Sequence, residues 1–488
     1  MTSSVYQIGI SRQDITPAPG VRLCGYTVRE GFSTDVHLPL TVTALVAESL
    51  GVRVAVVGVD AALGSVEFVD HVRDRCAAAI GTSRDHVLVN LSHTHSAPSP
   101  AEFMPFDSPD SIQRLTAHDS RVLDGCVKAC KDAASKLQPA RLAIGTGQCA
   151  GNINRRQATP EGEMLLGEDP AGPCDQTVRV ARFDDLSGAP LAILFRYSCH
   201  TVTMGPRSNR ISPDFAGPAR QVIEQAMGCP TIFLQGCAGN LNPATGIGQD
   251  TNNDEDCVRL GQMLGGEVLK VCATLRTHRR RREPVLIRSI AIYWMYQYGA
   301  IEPGPAGRVA ALEERLSLAL APFGSLADIE REREDWAARL RDCISRNAPE
   351  SETNVAVRFD YWSSRRLAVA RESTGPVVIS FPIQVVQIGP LTLIALPFEP
   401  MSETGTRLTA AIDPDGAMVL GYSNGIVSYL PTPEVSAAGG MEARLGYKNY
   451  LLPAELPGDW EPTVVAAATR LASRPHERPL NTLDRSLS

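Results

Sequence analysis

The stretch "LVNLSHTHSAPSP" (residues 88–100) decides how this chain is read. An apolar run breaks into a polar segment that carries His93 and His95 one residue apart. In an extended segment, side chains at i and i+2 point to the same side. Both rings are therefore expected to face one cavity. Three roles fit that placement: two metal ligands, one ligand beside a proton carrier, or two histidines satisfied by hydrogen bonds.

The same kind of unit recurs on either side. VRVAVVGVD ends at Asp60, ARLAIGTGQCAGNINRR runs into Asn154 and Arg155, and LAILFRYSCHTVTMG runs through His200. PTIFLQGCAGNLNP ends in a glycine-rich loop, LTLIALPFEPMSETG ends near Glu399, and AMVLGYSNGIVSYLPTPE leads to Ser423 and Tyr429. Apolar runs of this kind read as buried strands. Between them, EFVDHVRDRCAAAIG, SRVLDGCVKACKDAASKL, GPARQVIEQAMG and DEDCVRLGQMLGGEVLKVCATL read as amphipathic helices. The fold class expected is α/β, with mixed sheets flanked by helices. In such sheets, sites gather beyond the carboxyl ends of the strands, where these polar residues fall.

Residues 303–348 are charged, and both halves read as helical. A helical hairpin inserted into the domain is expected there, either covering the site or forming a surface excursion. One domain over 1–472 and a polar tail over 473–488 account for the chain. The net charge of −7 argues against nucleic acid as a partner. The basic run RTHRRRREP (276–284) reads as a solvated helix end. No run approaches the roughly 20 apolar residues that span a bilayer, so no stable membrane association is expected. With no targeting segment in view, the 12 cysteines read as reduced thiols in the cytoplasm.

Three tempting motifs fail on context. GTGQCA (145–150) follows a strand but opens no helix, as a dinucleotide site requires. GYSNG (421–425) fits a nucleophile elbow, but the only later histidine is His476 in the tail. DTNNDED (250–256) lacks the glycine and glutamate of a calcium loop and reads as an acidic helix start. What remains is a constellation spread over strand ends: His93, His95, His200, Glu399 and Tyr429. Zinc takes nitrogen and oxygen ligands, and a catalytic site keeps a position open for water. On residue types alone, hydrogen-bonded histidines beside strands remain the competing reading.

The chain resembles the N-terminal catalytic domain of the neutral, non-lysosomal ceramidase family and its bacterial relatives. GISRQDITPAPGVRLCGY, STDVHLPLTVTALVAE, LSHTHSAP, GNINRR, SCHTVTMGPRSNRISPDFAG, FLQGCAGNLNP, IALPFEPMSETG and SYLPTPE follow in family order over roughly residues 7–450. The resemblance implies one zinc ion per chain, held by His93, His200, Glu399 and Tyr429. It implies a proton-transfer or substrate-binding role for His95 and an arginine role for Arg155, with Arg156 adjacent. Asp60 and Asp214 are expected to orient histidines from behind, and backbone N–H groups of the Gly236–Asn240 loop, Asn240 included, to assist an oxyanion.

Two departures from the family stand out. Asn242 replaces a serine implicated in its chemistry, and Met441 replaces a later tyrosine. Neither the family's C-terminal immunoglobulin-like domain nor its secretion signal is expected here. The expected activity is therefore a zinc-dependent hydrolase acting on an amide bond of a small soluble molecule. An esterase or lactonase, a true ceramidase, and a binding protein on this scaffold are the alternatives; a homo-oligomer is left open. A nucleophilic Cys237 is a remote option.

Overall fold

The computed structural model describes residues 2–248, 253–285 and 295–474. Its larger sheet is built from β1 (Thr2–Asp14), β2 (Thr41–Ser49), β3 (Val52–Val59), β4 (Val87–Leu91), β5 (Gln138–Gln148), β6 (Thr177–Asp185), β7 (Pro190–Tyr197) and β8 (Thr231–Gln235). These lie in the order β8-β7-β6-β5-β1-β2-β3-β4, and the short strand Glu302–Ala306 adds parallel to the start of β1. The outer pairs β3–β4 and β7–β8 are parallel; the pairings between are antiparallel. A second sheet has the order β9 (Val309–Ala319), β10 (Val378–Ile388), β11 (Leu391–Ala395), β12 (Ala417–Leu420), with β11–β12 parallel.

The alternation of side chains sets the layers. Ala44, Val46, Ala55, Val57 and Val59 face a core shared with α1 (Val66–Ile80) and α2 (Pro109–Ala134). Their neighbours Leu45, Ala47, Val54 and Val56 face the other way, against Val386, Ile388, Leu391, Leu393, Met418 and Leu420 of the second sheet. A period of two sorts one strand onto two cores. At the other end of the large sheet, Val180, Phe195 and Phe233 pack under α3 (Ala216–Met227) and α4 (Asp254–Thr274). The outer face of the second sheet is covered by Trp362, Trp460, Val464 and Leu471. The order is helices, sheet, sheet, helices, the mixed-sheet α/β class expected from the sequence.

The expected helical hairpin is displaced. Val309–Ala319 is a strand, paired antiparallel with β10 along eleven positions. Its Leu, Ala, Glu and Arg content favours helix, but a full-length partner strand overrides that preference. The hairpin is α5 (Leu326–Ser345) and α6 (Glu350–Glu372), so its second helix lies beyond the boundary read from sequence. The basic run enters a strand, Arg279–Val285, instead of ending a helix. Most of the 473–488 tail lies outside the described residues. Among the described residues, no helix is long and apolar enough to cross a membrane.

One contact fixes how closely α2 lies on the large sheet. A β-carbon at Gly9 would come within 2.0 Å of the Ala133 carbonyl oxygen. Gly9→Ala should therefore push the helix off β1 and cost about 1–3 kcal/mol, read as a lower urea midpoint. An unchanged midpoint would contradict this packing.

Candidate functional site

Four strand ends meet at the junction of the two sheets. β4 runs into His93, β7 into His200 and β11 into Glu399; the Glu399–Pro400 step pairs parallel with Tyr429–Leu430. Buried amides hold these ends together. Gln235, the last residue of β8, donates through Nε2 to Ser92 O (3.2 Å) and Cys199 O (2.7 Å), and its backbone N–H donates to Asn90 Oδ1 at 2.8 Å. Asn90 Nδ2 in turn donates across the sheets to Gly421 O (2.9 Å) and Ser423 Oγ (3.0 Å). That contact makes Ser423 a buried part of the sheet junction, in keeping with rejection of the elbow motif.

The histidine rings are fixed from behind by main-chain carbonyls. His93 Nδ1 lies 2.8 Å from Ala62 O, and His200 Nδ1 lies 2.7 Å from Ala238 O. A carbonyl can only accept, so Nδ1 of each ring carries a proton and Nε2 is the nitrogen turned to the site. The two Nε2 atoms converge on one carboxylate oxygen. Glu399 Oε2 is 3.3 Å from His93 Nε2 and 3.0 Å from His200 Nε2. His95 Nε2 stands 3.2 Å from His93 Nε2, while its Nδ1 is buried with no partner. The His93, His95 and His200 ligand atoms all lie within 4.8 Å of one another. His93 has φ of 62°, a left-handed backbone for a bulky residue. The two histidines do share a cavity, but through this kink and not through an extended strand.

The electrostatics match a set of electron-pair donors. Burial pushes His200 down to about 4, with Arg155 acting in the same direction. Burial likewise holds His95 well below the usual imidazole value, helped by the other two histidines. Burial alone would raise the Glu399 carboxyl, but His93 and His200 outweigh it and keep it well below the usual range. Tyr422 and Tyr450 both donate to this carboxylate, Tyr422 at 3.2 Å. Imidazole nitrogens and a carboxylate aimed at one point suit a cation between them.

Arg155, not Arg156, reaches the centre. Its Nη1 is 3.3 Å from His200 Nε2 and 3.4 Å from Asn242 Oδ1, and its Nη2 donates to Tyr429 OH at 3.3 Å. Glu442 holds both arginines, Arg155 through Nε at 3.0 Å. Met441 itself is half-buried at the start of a short helix, Met441–Arg444, and its neighbour Glu442 makes the polar contact.

Two other expectations are corrected. Asp60 makes a bidentate ion pair with Arg220 (2.8 and 2.7 Å) and binds Thr41; it does not orient a histidine. Asp214 accepts from Thr203, Met204 N (3.1 Å) and Phe215 N (2.7 Å), ordering its own loop. Main-chain carbonyls do the orienting in place of both. In the Gly236–Asn240 loop, the Gly236 and Gly239 N–H groups are already used on Tyr197 O (2.9 Å) and Pro400 O (2.8 Å). The Asn240 side chain accepts from Ser402 N and donates to Glu403, both at 2.8 Å. Cys237 is buried, which pushes its thiol up to about 12 despite the nearby Arg196, a poor nucleophile.

The sequence reading missed Gln235, Tyr422, Tyr450 and Glu442. No pattern marks Gln235 or Tyr450; Tyr422 lay inside the rejected GYSNG, and Glu442 was adjacent to a residue already under scrutiny. A cavity of about 310 Å³ opens onto His93, His95, Glu399, Tyr429 and Tyr450. Asn354, Val357 and Arg358 of α6 form one wall, so the inserted hairpin covers the site.

Comparison with known proteins agrees with the fold. The family model described as "Neutral/alkaline non-lysosomal ceramidase, N-terminal" matches residues 6–258. Neutral ceramidase of Pseudomonas aeruginosa is 24% identical over 480 residues, covering 89% of this chain and 68% of that one. Neutral ceramidase B of Dictyostelium discoideum is 27% identical over 261 residues, covering 51% of this chain and 35% of that one. Two solved structures share the fold over 96% of this chain and 74% of theirs. "Ceramidase complexed with C2" has a TM-score of 0.68 at 18% identity, and the neutral ceramidase from Pseudomonas aeruginosa has 0.66 at 19%.

Asp60→Ala leaves the Arg220 guanidinium buried without its partner. Unfolding free energy should fall by about 3–5 kcal/mol, measured by denaturant titration. A loss below about 1 kcal/mol would show that the pair does not carry this corner of the fold.

Proposed function

The chain belongs to the neutral/alkaline non-lysosomal ceramidase family, and from that premise we propose that it is a zinc-dependent hydrolase of an amide (C–N) bond in a small soluble substrate. The observation that carries the reading is the pair of imidazole nitrogens, His93 Nε2 and His200 Nε2, meeting on one Glu399 oxygen at 3.3 and 3.0 Å. With Tyr429 brought alongside by its pairing to Glu399, these four residues form the ligand set for one zinc ion. When bound, zinc supplies a Lewis acid that acidifies water to a pKa of roughly 7 and polarises a carbonyl.

The chain's own residues do the rest. His95 faces the cavity with its Nε2 beside the ligand cluster and its Nδ1 unbound, so it can carry a proton to a departing amine. Arg155, pinned by Glu442, presents its terminal nitrogens toward His200 and Tyr429, where negative charge on a substrate oxygen would develop. Asn242 stands on the far side of Arg155 and sets its angle, in the position where the family has a serine. The small-substrate reading is supported by the 310 Å³ cavity, at the low end of the roughly 300–1,000 Å³ that ligand pockets occupy.

A second reading is ceramide itself. The relatives are named neutral ceramidases, and Leu63, Phe103, Met104 and Phe106 give the cavity an apolar side.

The test is hydrolysis of short acyl amides, matched esters and a short-chain ceramide, before and after chelation and zinc return. Activity should vanish on chelation and come back with zinc. His95→Asn should lower amide turnover about 100-fold and ester turnover far less, because an amine must be protonated to leave. Full activity after chelation, or equal loss on amide and ester, would contradict the reading; preference for the ceramide would establish the second reading.

A further inference from the structure

The wall of the cavity formed by α6 carries a cation with no counter-charge. Arg358 donates one terminal nitrogen to Asn449 O, its Nε is buried without a partner, and its guanidinium lies 5.7 Å from the Phe106 ring centre. Among the described residues it makes no ion pair. The titratable groups beside it are the Cys24 thiol and the Tyr450 phenol, both neutral, and burial lowers the arginine's own pKa. Arg29 lines the same cavity and also lacks a carboxylate; both of its terminal nitrogens are taken by the carbonyls of Cys24 (2.8 Å), His95 (2.7 Å) and Gly205 (3.1 Å), while its Nε, like that of Arg358, is buried without a partner. Arg22, the third lining arginine, is neutralised by Asp107 (3.3 Å) and Glu350 (2.7 Å). Arg358 is thus the lining guanidinium with neither an acid partner nor both terminal nitrogens on carbonyls.

Arg358 is half-buried, and a cation partly withdrawn from water without a counter-charge gains from a ligand that completes it. A planar guanidinium with free donors suits a carboxylate. Arg358 also sits one residue from the chemistry: Tyr450, its neighbour, hydrogen-bonds Glu399.

We propose that Arg358 anchors a carboxylate of the substrate, and that the amide this site takes is an acidic one, with a free carboxylate on its amine or its acyl side. This rests on the hydrolase reading above and narrows it. Acidity would also set the site apart from one taking ceramide, which carries no charge for Arg358 to hold.

The experiment uses two matched pairs: N-butyrylglycine against N-butyrylglycinamide, and N-methylglutaramate against N-methylhexanamide. Each is measured for kcat and KM with the zinc-loaded enzyme, and for binding by calorimetry with the chelated enzyme. Wild type should favour the acid of at least one pair by ten- to a hundredfold, and the pair that responds identifies the side bearing the carboxylate. Arg358→Gln should erase that preference through KM, and Arg358→Lys should restore part of it, which a folding defect would not do. Preference for the neutral member in both pairs, no preference, or a preference that survives Arg358→Gln would overturn the proposal. Charge-selective binding lost in Arg358→Gln, without turnover of any compound, would uphold the anchor and remove the hydrolase reading. Turnover without charge preference would do the reverse.

Discussion

The carboxamide of Gln235 spans two carbonyls, Ser92 O and Cys199 O, and each belongs to the residue just before a histidine. It thereby sets the distance between His93 and His200. The atoms around it are buried, so each of these hydrogen bonds replaces one that water would otherwise make, and losing it leaves an unpaired carbonyl. Asn90 extends the network from the large sheet to Gly421 and Ser423 at the end of β12, and Asn424 Oδ1 accepts from Val89 N at 3.0 Å in return. Two sheets packed face to face could slide along apolar side chains at little cost. Directional hydrogen bonds between their carboxyl ends remove that freedom, and Glu399 arrives beside both histidines as a result.

Much of this arrangement was legible in the sequence because burial writes a simple pattern. Strands β3, β4, β7, β8, β11 and β12 are short apolar runs ending in polar residues, and the residues that meet at the site stand at or just beyond those ends. Val309–Ala319 was misread because its residues favour helix locally and its partner strand lies some seventy positions further along the chain. Pairing at that separation leaves no local trace. The roles of Asp60 and Asp214 were misassigned for a related reason: an aspartate at a strand end looks the same whether it faces a histidine or an arginine. Arg220, which claims Asp60, sits on a helix 160 residues away.

The departures from the family fall around Arg155. Asn242 offers it an oxygen at 3.4 Å, and Glu442 clamps it beside Met441. A serine hydroxyl both donates and accepts, whereas the asparagine oxygen here accepts from the arginine and holds it in place. Asn242 therefore bears on how a substrate would be received beside His200 and Tyr429. The α6 wall bears on the same question from the opposite side. Its position over His93 and Glu399 makes the inserted hairpin part of the pocket, so the shape of the cavity depends on an element outside the two sheets.

The central claim is that the four strand ends build one metal centre. The most direct test is a crystal structure of the zinc-loaded protein with anomalous data collected at the zinc edge. One peak per chain is predicted, at about 2.0–2.2 Å from His93 Nε2, His200 Nε2 and Glu399, with Tyr429 alongside. No peak at this position in zinc-loaded crystals, or a peak held by other residues, would contradict the account.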